Sequence, residues 1–257
     1  IRSIDVEART ATVEPGVIMS FDDGTINVGG TGAFQAVGTD ELPIIFTATD
    51  PRGSWGGVFA RGAATFEKII IELAGARDLT SSNYDAPASI TLSDGGSLEM
   101  RDSTVRDGEG YGVFSDNESS LPVFANNVLT GHTRGPVRTD MVTAHFYKGS
   151  STYADNGVEG ISVNPDYSSI EGDVTWDALD VPWVITREVS TPSLFVPAEA
   201  TLTLAAGARI EFEENVPLEV RGTLEASGTA DNPIVLTARS PGTQKWGGLV
   251  LRGDGQA

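Results

Sequence analysis

The chain has 257 residues, of which 36 are acidic and 17 basic, so its formal net charge is −19 with both His neutral. It contains no Cys, which excludes disulfides, thiolate catalysis and zinc–thiolate sites. Nucleic-acid phosphates are bound by clustered Lys and Arg, so this acidic balance argues against a nucleic-acid partner. No apolar run is long enough to cross a bilayer as a helix, and we expect no membrane insertion.

Short stretches of alternating apolar residues follow one another from the start of the chain. The first six cover residues 17–21, 25–28, 33–37, 43–47, 55–60 and 66–73. Clusters of Asp, Gly and Pro separate them, as turns require. No apolar stripe of helical period and length occurs, and β-branched residues crowd the apolar positions. The sequence therefore predicts a chain made almost entirely of strands and turns.

A large internal duplication is superimposed on these strands. Residues 13–62 reappear at 204–253 in the same order, with slips only at turns. Trp55-Gly56-Gly57 matches Trp246-Gly247-Gly248, and Arg61 matches Arg252. Such agreement indicates a duplicated module. We predict a first module over residues 1–171, and a second, incomplete module over 172–257 that continues the same solenoid.

Two all-β architectures fit short strands: antiparallel sandwiches or barrels, and a parallel solenoid of stacked coils. Hairpins would leave two-residue turns between long strands, whereas these strands are short and joined by bends of uneven length. The middle of the chain also repeats at coil length, at residues 96–105, 111–115 and 122–129. The solenoid is therefore favoured, with inward aliphatic residues stacking between coils and corner residues forming ladders.

The run at 222–238 and the Trp-Gly-Gly that follows it resemble the repeats of right-handed parallel β-helix proteins of bacterial secreted and cell-surface type. Residues 101–129 are similar to the later coils of that family. The resemblance implies an all-β, right-handed, single-stranded parallel β-helix. It also implies an extracellular or bacterial cell-surface location. The sequence begins at Ile1 without Met or a charged and then apolar leader, so we expect any signal peptide to have been removed. It leaves the activity open, because this solenoid carries enzymes, adhesins and spacers alike.

Acidic side chains are the most numerous chemical groups, and five of them lie within about one coil. Carboxylates grouped with backbone carbonyls bind Ca²⁺, and paired carboxylates serve glycoside hydrolysis. The alternative is that they are turn residues that keep the surface soluble. We predict no cofactor other than Ca²⁺, whose candidate ligands are Asp102, Asp107, Glu109, Asp116 and Glu118.

Base-like and cationic side chains are concentrated in one segment, as His132, Arg134 and Arg138. An imidazole or cationic base can remove the proton α to a uronate carboxyl, and neighbouring cations neutralise the charge that develops. These three residues are the catalytic candidates for a polysaccharide lyase. The alternative is a solvated, Gly-rich turn, and the charge of −19 would repel an anionic substrate.

The duplicated Trp and Arg residues are candidates for a ligand surface. Trp55 and Trp246 each precede two Gly, and Arg61 and Arg252 each follow the Trp by six residues. Indoles stack on sugar faces, and an Arg can stack on an indole. The alternative is packing at a coil corner, which the repetition of the same residues in both copies favours.

These observations favour a non-catalytic β-helical rod that serves adhesion, binds glycans or surface proteins, or acts as a spacer or assembly module. Two alternatives remain: a polysaccharide lyase or hydrolase on a β-helix, and a subunit that stacks end to end into filaments. A lateral groove with convergent carboxylates, or with Arg134 and His132 in reach of one sugar, would favour the enzyme. A flat face would favour the rod.

Overall fold

The computed structural model describes residues 1–77, 86–165, 169–187 and 193–253. Within these ranges the protein is all-β apart from one short 3₁₀ helix, Ala144–Phe146. Among the described residues the strands pair in parallel, which confirms the predicted parallel β-solenoid rather than a sandwich of antiparallel strands. None of the helices among the described residues is long and apolar enough to span a bilayer.

The strands are short, as the spacing of turns predicts. In chain order they are β1 Ile4–Val6, β2 Thr10–Val13, β3 Ile18–Phe21, β4 Thr25–Val28, β5 Ala33–Val37, β6 Ile44–Ala48, β7 Gly57–Ala60, β8 Ala63–Glu67, β9 Ile69–Glu72, β10 Ala88–Leu92, β11 Ser97–Arg101, β12 Thr104–Arg106, β13 Tyr111–Ser115, β14 Ser120–Ala125, β15 Val128–Thr130, β16 Gly135–Asp140, β17 Ile161–Asn164, β18 Asp173–Trp176, β19 Trp183–Ile185, β20 Leu194–Val196, β21 Thr201–Leu204, β22 Arg209–Phe212, β23 Leu218–Val220, β24 Thr223–Ala226, β25 Val235–Ala238 and β26 Leu249–Leu251.

The chain folds as two units. The first comprises Ile1–Arg138 and Ser150–Glu159, and the second comprises Thr139–Gly149 and Gly160–Ala257. The division into these units reflects which parts of the chain lie close together. The predicted module boundary at 171/172 reflects the sequence repeat instead, and it stays a prediction.

Five coils of the first unit each contribute one strand to each of three sheets, and β16 is a sixth strand of the first sheet. In the order of hydrogen-bonded neighbours, sheet 1 contains β1, β4, β7, β10, β13 and β16; sheet 2 contains β14, β11, β8, β5 and β2; sheet 3 contains β15, β12, β9, β6 and β3. Inward residues stack in register from coil to coil, as Ile26, Val58 and Ile90 do, and all three are fully buried. Burying such aliphatic side chains is the main source of stability in a stacked core.

The corners between sheets 2 and 3, and at the end of sheet 3, use left-handed backbone. Lys68, Asp102 and Asn126 have φ of 51°, 50° and 56° at the first corner. Asp107 and Asp155 have φ of 55° and 61° at the second corner. Asn and Asp adopt this conformation more readily than other non-glycine residues, which explains why they recur where the chain turns.

The second unit contains the same kind of stack. Its sheets are β17, β19, β22 and β25; β18, β21 and β24; and β20, β23 and β26. Within it, Val174, Leu202 and Leu224 form one inward row and are nearly or fully buried.

The duplicated sequence pairs in the same register in both copies. Phe21 pairs with Ala48 in the first copy, and Phe212 pairs with Ala238 in the second. These are the positions that the sequence alignment matches. The repeat in the sequence is therefore a repeat of strand pairing.

Candidate functional site

The outer face of sheet 3 carries a row of four aliphatic side chains and one threonine. Strand register places Ile18, Ile45, Ile70, Thr104 and Val128 side by side, one from each coil. Ile18 is 63% exposed and Val128 37% exposed, while the three between them are half-buried. Neighbouring strands in a sheet are ~4.8 Å apart, so the row forms a continuous and mostly apolar strip.

A polar row runs beside this strip, two residues further along each strand. Its central member, Glu72, accepts a hydrogen bond from Thr47 Oγ1 at 3.0 Å. Arg106 donates to Glu72 Oε2 from Nε at 2.9 Å and from Nη2 at 2.6 Å. Thr130 follows Arg106 in the register. The outer face of sheet 3 therefore combines an apolar strip with a row of hydroxyl, carboxylate and guanidinium groups.

Two asparagines, the buried Asn127 and the half-buried Asn156, close the corners of the coils that precede them. Asn127 accepts from the backbone N–H of Ser103 at 3.2 Å and donates to the carbonyl of Met100 at 3.0 Å. Asn156 accepts from the N–H of His132 at 2.9 Å and donates to the carbonyl of Leu129 at 3.0 Å. Each asparagine amide thus bonds one backbone N–H and one backbone carbonyl that, at the turn, have no partner in the hydrogen-bond ladder of the sheet.

His132 occupies the same corner position as Asn156, one coil earlier, and it is 1% exposed. Its Nε2 lies 3.1 Å from the carbonyl oxygen of Val105. A carbonyl only accepts, so Nε2 carries the proton of the neutral ring. The ring lies against Gly108, where a Cβ atom would come within 2.5 Å of Nδ1.

Burial lowers the pKa of His132 to about 4, although the hydrogen bond to Val105 and the charge of Asp107 oppose this effect. The ring is therefore neutral at pH 7 and is enclosed by the coils. The structure puts Arg134 at a half-buried position, with its backbone N–H bonded to the carbonyl of Gly110, and it buries Arg138. Because His132 faces no solvent, a substrate at the surface does not reach its nitrogens, and the catalytic assignment of the three residues stays an untested prediction.

The two repeated tryptophans stack on the two repeated phenylalanines. The rings of Trp55 and Phe21 have centroids 4.4 Å apart and are inclined by 10°. Those of Trp246 and Phe212 are 4.7 Å apart and inclined by 21°. Trp55 is fully buried and donates its indole N–H to the carbonyl of Glu72 at 2.9 Å, whereas Trp246 is half-buried. In the first copy the indole is a packing residue.

The repeated arginines do not contact these indoles in the described structure. The guanidinium carbon of Arg61 lies 5.4 Å from the centroid of Phe59, as in a cation–π contact. Arg252 instead pairs with Glu219, with Nε 3.1 Å from Oε1. Both arginines are exposed, and their role in ligand binding stays a prediction.

The five candidate Ca²⁺ ligands lie in three turns, with Asp102 in the first, Asp107 and Glu109 in the second, and Asp116 and Glu118 in the third. Asp102 accepts from the side chain of Asn126 at 3.1 Å, and Asp107 lies 3.7 Å from Arg106 Nε. Asp116 accepts from Ser93, Ser119 and two backbone N–H groups, one of them that of Glu118. Glu109 uses its backbone carbonyl as an acceptor for Thr133 Oγ1. Among the described residues no three His, Asp or Glu side chains are grouped so as to hold a metal ion.

Sequence reasoning missed the corner asparagines and the Glu72 network. The Asn126-Asn127 pair ends an apolar stretch, which indicates a turn. Only the coil register identifies Asn127 as the residue of this pair whose side chain points inward. Glu72 and Arg106 are 34 residues apart in sequence, and only strand pairing makes them neighbours.

The stacked parallel coils define a parallel β-helix repeat protein. Its residues 173–257 match the family model described as a pectate-lyase-like β-helix domain. This match covers about a third of the chain and includes most of the second unit. No curated protein and no solved structure matches the chain.

Proposed function

We propose that the protein is a non-catalytic β-helical module of the cell surface or extracellular space, and that it binds a neutral glycan on the outer face of sheet 3. The observation that carries this proposal is the strip of Ile18, Ile45, Ile70, Thr104 and Val128 beside the polar row. A sugar ring has an apolar face and a rim of hydroxyls. The strip packs against the face, and the polar row forms hydrogen bonds with the hydroxyls.

The polar row supplies both kinds of hydrogen-bonding group. Carboxylate oxygens of Glu72 accept, guanidinium nitrogens of Arg106 donate, and Thr hydroxyls do either. The salt bridge holds Glu72 and Arg106 in place before a ligand arrives, which lowers the entropic cost of binding. The strong negative charge of the chain disfavours anionic polysaccharides, so the glycan is neutral.

The lyase alternative depends on a base that contacts the substrate. His132 is enclosed by the coils, has a low pKa and already donates its proton to Val105. A general base needs its acceptor nitrogen within hydrogen-bond reach of the proton it removes. The placement of His132 therefore supports binding without turnover.

A glycan array with the purified full chain tests the proposal, followed by titration of any glycan that binds. Replacing Ile45 and Ile70 together with Ser removes the centre of the strip, and we expect at least tenfold weaker binding. Val123→Ser, on the half-buried outer side of sheet 2, is the matched control and should leave affinity unchanged.

The same samples are incubated with uronate-containing polysaccharides, and the unsaturated product of β-elimination is followed by its ultraviolet absorbance. Turnover that His132→Ala abolishes would overturn the proposal in favour of a lyase. Binding that the Ile45 and Ile70 replacements leave intact would remove sheet 3 as the site.

A further inference from the structure

The strip and the polar row on the outer face of sheet 3 repeat together from coil to coil. Within one strand the strip residue and the polar residue are two positions apart, which is about 6.6 Å, and neighbouring strands are about 4.8 Å apart. Each coil therefore presents the same kind of pair at the same interval along the stack. From β6 to β15 the pairs are Ile45 with Thr47, Ile70 with Glu72, Thr104 with Arg106, and Val128 with Thr130.

The strands of sheet 3 are too short to present two such pairs in one coil. β9, β12 and β15 have four, three and three residues, and alternate residues of a strand point into the core. Left-handed backbone turns the chain on both sides of β12, at Asp102 with a φ of 50° and at Asp107 with a φ of 55°. A ligand with several repeating groups therefore contacts successive pairs only if it lies across the strands, along the stack.

The hydrogen bonds within the polar row determine what each coil offers to a ligand. Thr47 Oγ1 donates its proton to Glu72 at 3.0 Å, so its oxygen serves a ligand as an acceptor. Glu72 presents carboxylate lone pairs, and Arg106 has more N–H groups than the two that it donates to Glu72. A hydroxyl group both donates and accepts, so a polyhydroxylated chain finds a partner on each of these coils.

The stereochemistry of a glycan decides whether its rings can follow this repeat. A chain with equatorial bonds at both ends of every ring runs straight, and it advances per sugar by one ring and one linking oxygen, close to the spacing of the coils. An axial bond at the anomeric carbon bends the chain, so that successive rings leave the row. A straight chain places each ring on a strip residue and directs a rim of hydroxyls toward the polar row.

We infer that the ligand is a straight, equatorially linked neutral glycan that lies across the strands of sheet 3 with one sugar ring on each coil, an inference that rests on the glycan-binding role proposed above. The four pairs from β6 to β15 then hold four consecutive rings. Glu72 and Arg106, which the salt bridge holds in place, bind the two central rings. The protein thereby selects its ligand by linkage geometry and by chain length.

Calorimetric titration of the full chain with neutral oligosaccharides tests the inference. The straight probes are β-1,4-linked di-, tri- and tetrasaccharides of glucose, of mannose and of xylose. The bent probes are α-1,4-linked glucose oligosaccharides of the same lengths. In at least one straight series we expect affinity to rise about fivefold with each added ring, as one further hydrogen bond of ordinary net strength would give. The bent series should show no such rise.

Two threonine variants test the direction in which the glycan lies. Thr47→Val and Thr130→Val remove hydroxyls of the polar row that are three coils apart. Each should weaken binding of the tetrasaccharide about fivefold. Each should leave binding of the disaccharide nearly unchanged, because two rings can still occupy the unaltered coils. Thr65→Val, on the half-buried outer side of sheet 2, is the matched control and should change neither affinity.

The results separate this inference from the proposed function. If no neutral glycan binds, or if the Ile45 and Ile70 replacements leave binding intact, the proposed function fails and the inference fails with it. If sheet 3 does bind a glycan, three results overturn the inference alone. They are equal affinity for two and for four rings, a preference for the α-linked or another bent glycan, and a loss of tetrasaccharide affinity in only one of the two threonine variants.

Discussion

The Nε2 of His132 stands 3.1 Å from the carbonyl oxygen of Val105, in the place where an asparagine amide serves the next coil. There, Nδ2 of Asn156 donates to the carbonyl of Leu129, which pairs in register with Val105. Histidine therefore performs the corner function of asparagine in one coil of the stack. Its larger ring is accommodated because Gly108 has no side chain at that corner.

The first prediction concerns pH and His132. Its pKa is about 4 in the folded chain and 6.5 when unfolded. Between these values the unfolded chain binds a proton that the folded chain does not, so stability is complete above pH 6.5 and falls as the pH drops toward 4. A difference of about 2.5 pKa units corresponds to about 3 kcal/mol of unfolding free energy.

Urea unfolding of the parent and of His132→Asn at pH 7 and near pH 4 measures this contribution. Asn donates to Val105 without titrating, so the variant should lose about 3 kcal/mol less than the parent on acidification. Burial also lowers the pKa of His145, but that effect is common to both proteins and cancels in the comparison. Equal losses in parent and variant would contradict the prediction.

A second prediction concerns the corner amide of Asn127. Asn127→Ala leaves the N–H of Ser103 and the carbonyl of Met100 without their partner in a buried corner. Each unsatisfied buried group costs about 1–3 kcal/mol, so we expect a loss of about 2–4 kcal/mol in unfolding free energy. The control is Asn126→Gly at the adjacent exposed position, where glycine tolerates the φ of 56° and stability should stay nearly constant. Similar losses in both variants would disprove a special role for the buried amide.

A third prediction compares the repeated tryptophans. Trp55→Ala removes a fully buried ring that stacks on Phe21 and should cost about 3–5 kcal/mol. Trp246→Ala removes a half-buried ring and should cost about 1–2 kcal/mol, because less apolar area leaves contact with the protein. Thermal or urea unfolding of the two variants provides the measurement. A greater loss at Trp246 would mean that the more accessible indole is the better packed of the two.

The sequence predicts architecture far better than sites in this protein, and the reason is physical. Alternation and turn residues are local signals, and they identified short strands, parallel coils and the correspondence of Trp55 with Trp246. A site depends on which residues of different coils share a row. The alternation of Ile70 and Glu72 is visible in the sequence, but the neighbours of each lie 25 and 34 residues away in other coils, and only the coil register identifies them.

The burial of His132 also could not be predicted from the sequence. Its Gly-rich surroundings are typical of an exposed turn, and the segment does turn there, with Gly131 at a φ of 73°. Whether the side chain at such a corner points inward depends on the space that Gly108, in the preceding coil, leaves open. That information is not contained in the local sequence around His132.

The last prediction concerns the ion pair that organises the polar row of sheet 3. Glu72 is 21% and Arg106 44% exposed at their side chains, and two hydrogen bonds from the guanidinium reach one carboxylate oxygen. A double-mutant cycle with Glu72→Gln and Arg106→Gln should give a coupling free energy of about 0.5–1 kcal/mol. This value is at the upper end of the range for accessible ion pairs, because the hydrogen bonds are short and Thr47 also restrains the carboxylate. Raising the salt concentration should reduce the coupling, since accessible charges are screened.

The control pair is Arg52 with Asp50, where the guanidinium Nε and the carboxylate are 3.7 Å apart and both side chains are well exposed, and its coupling should be near zero. A coupling at Glu72 and Arg106 no larger than in this control would mean that the polar row is not held in place before a ligand binds, and the pre-organised surface invoked for glycan binding would lose its physical basis.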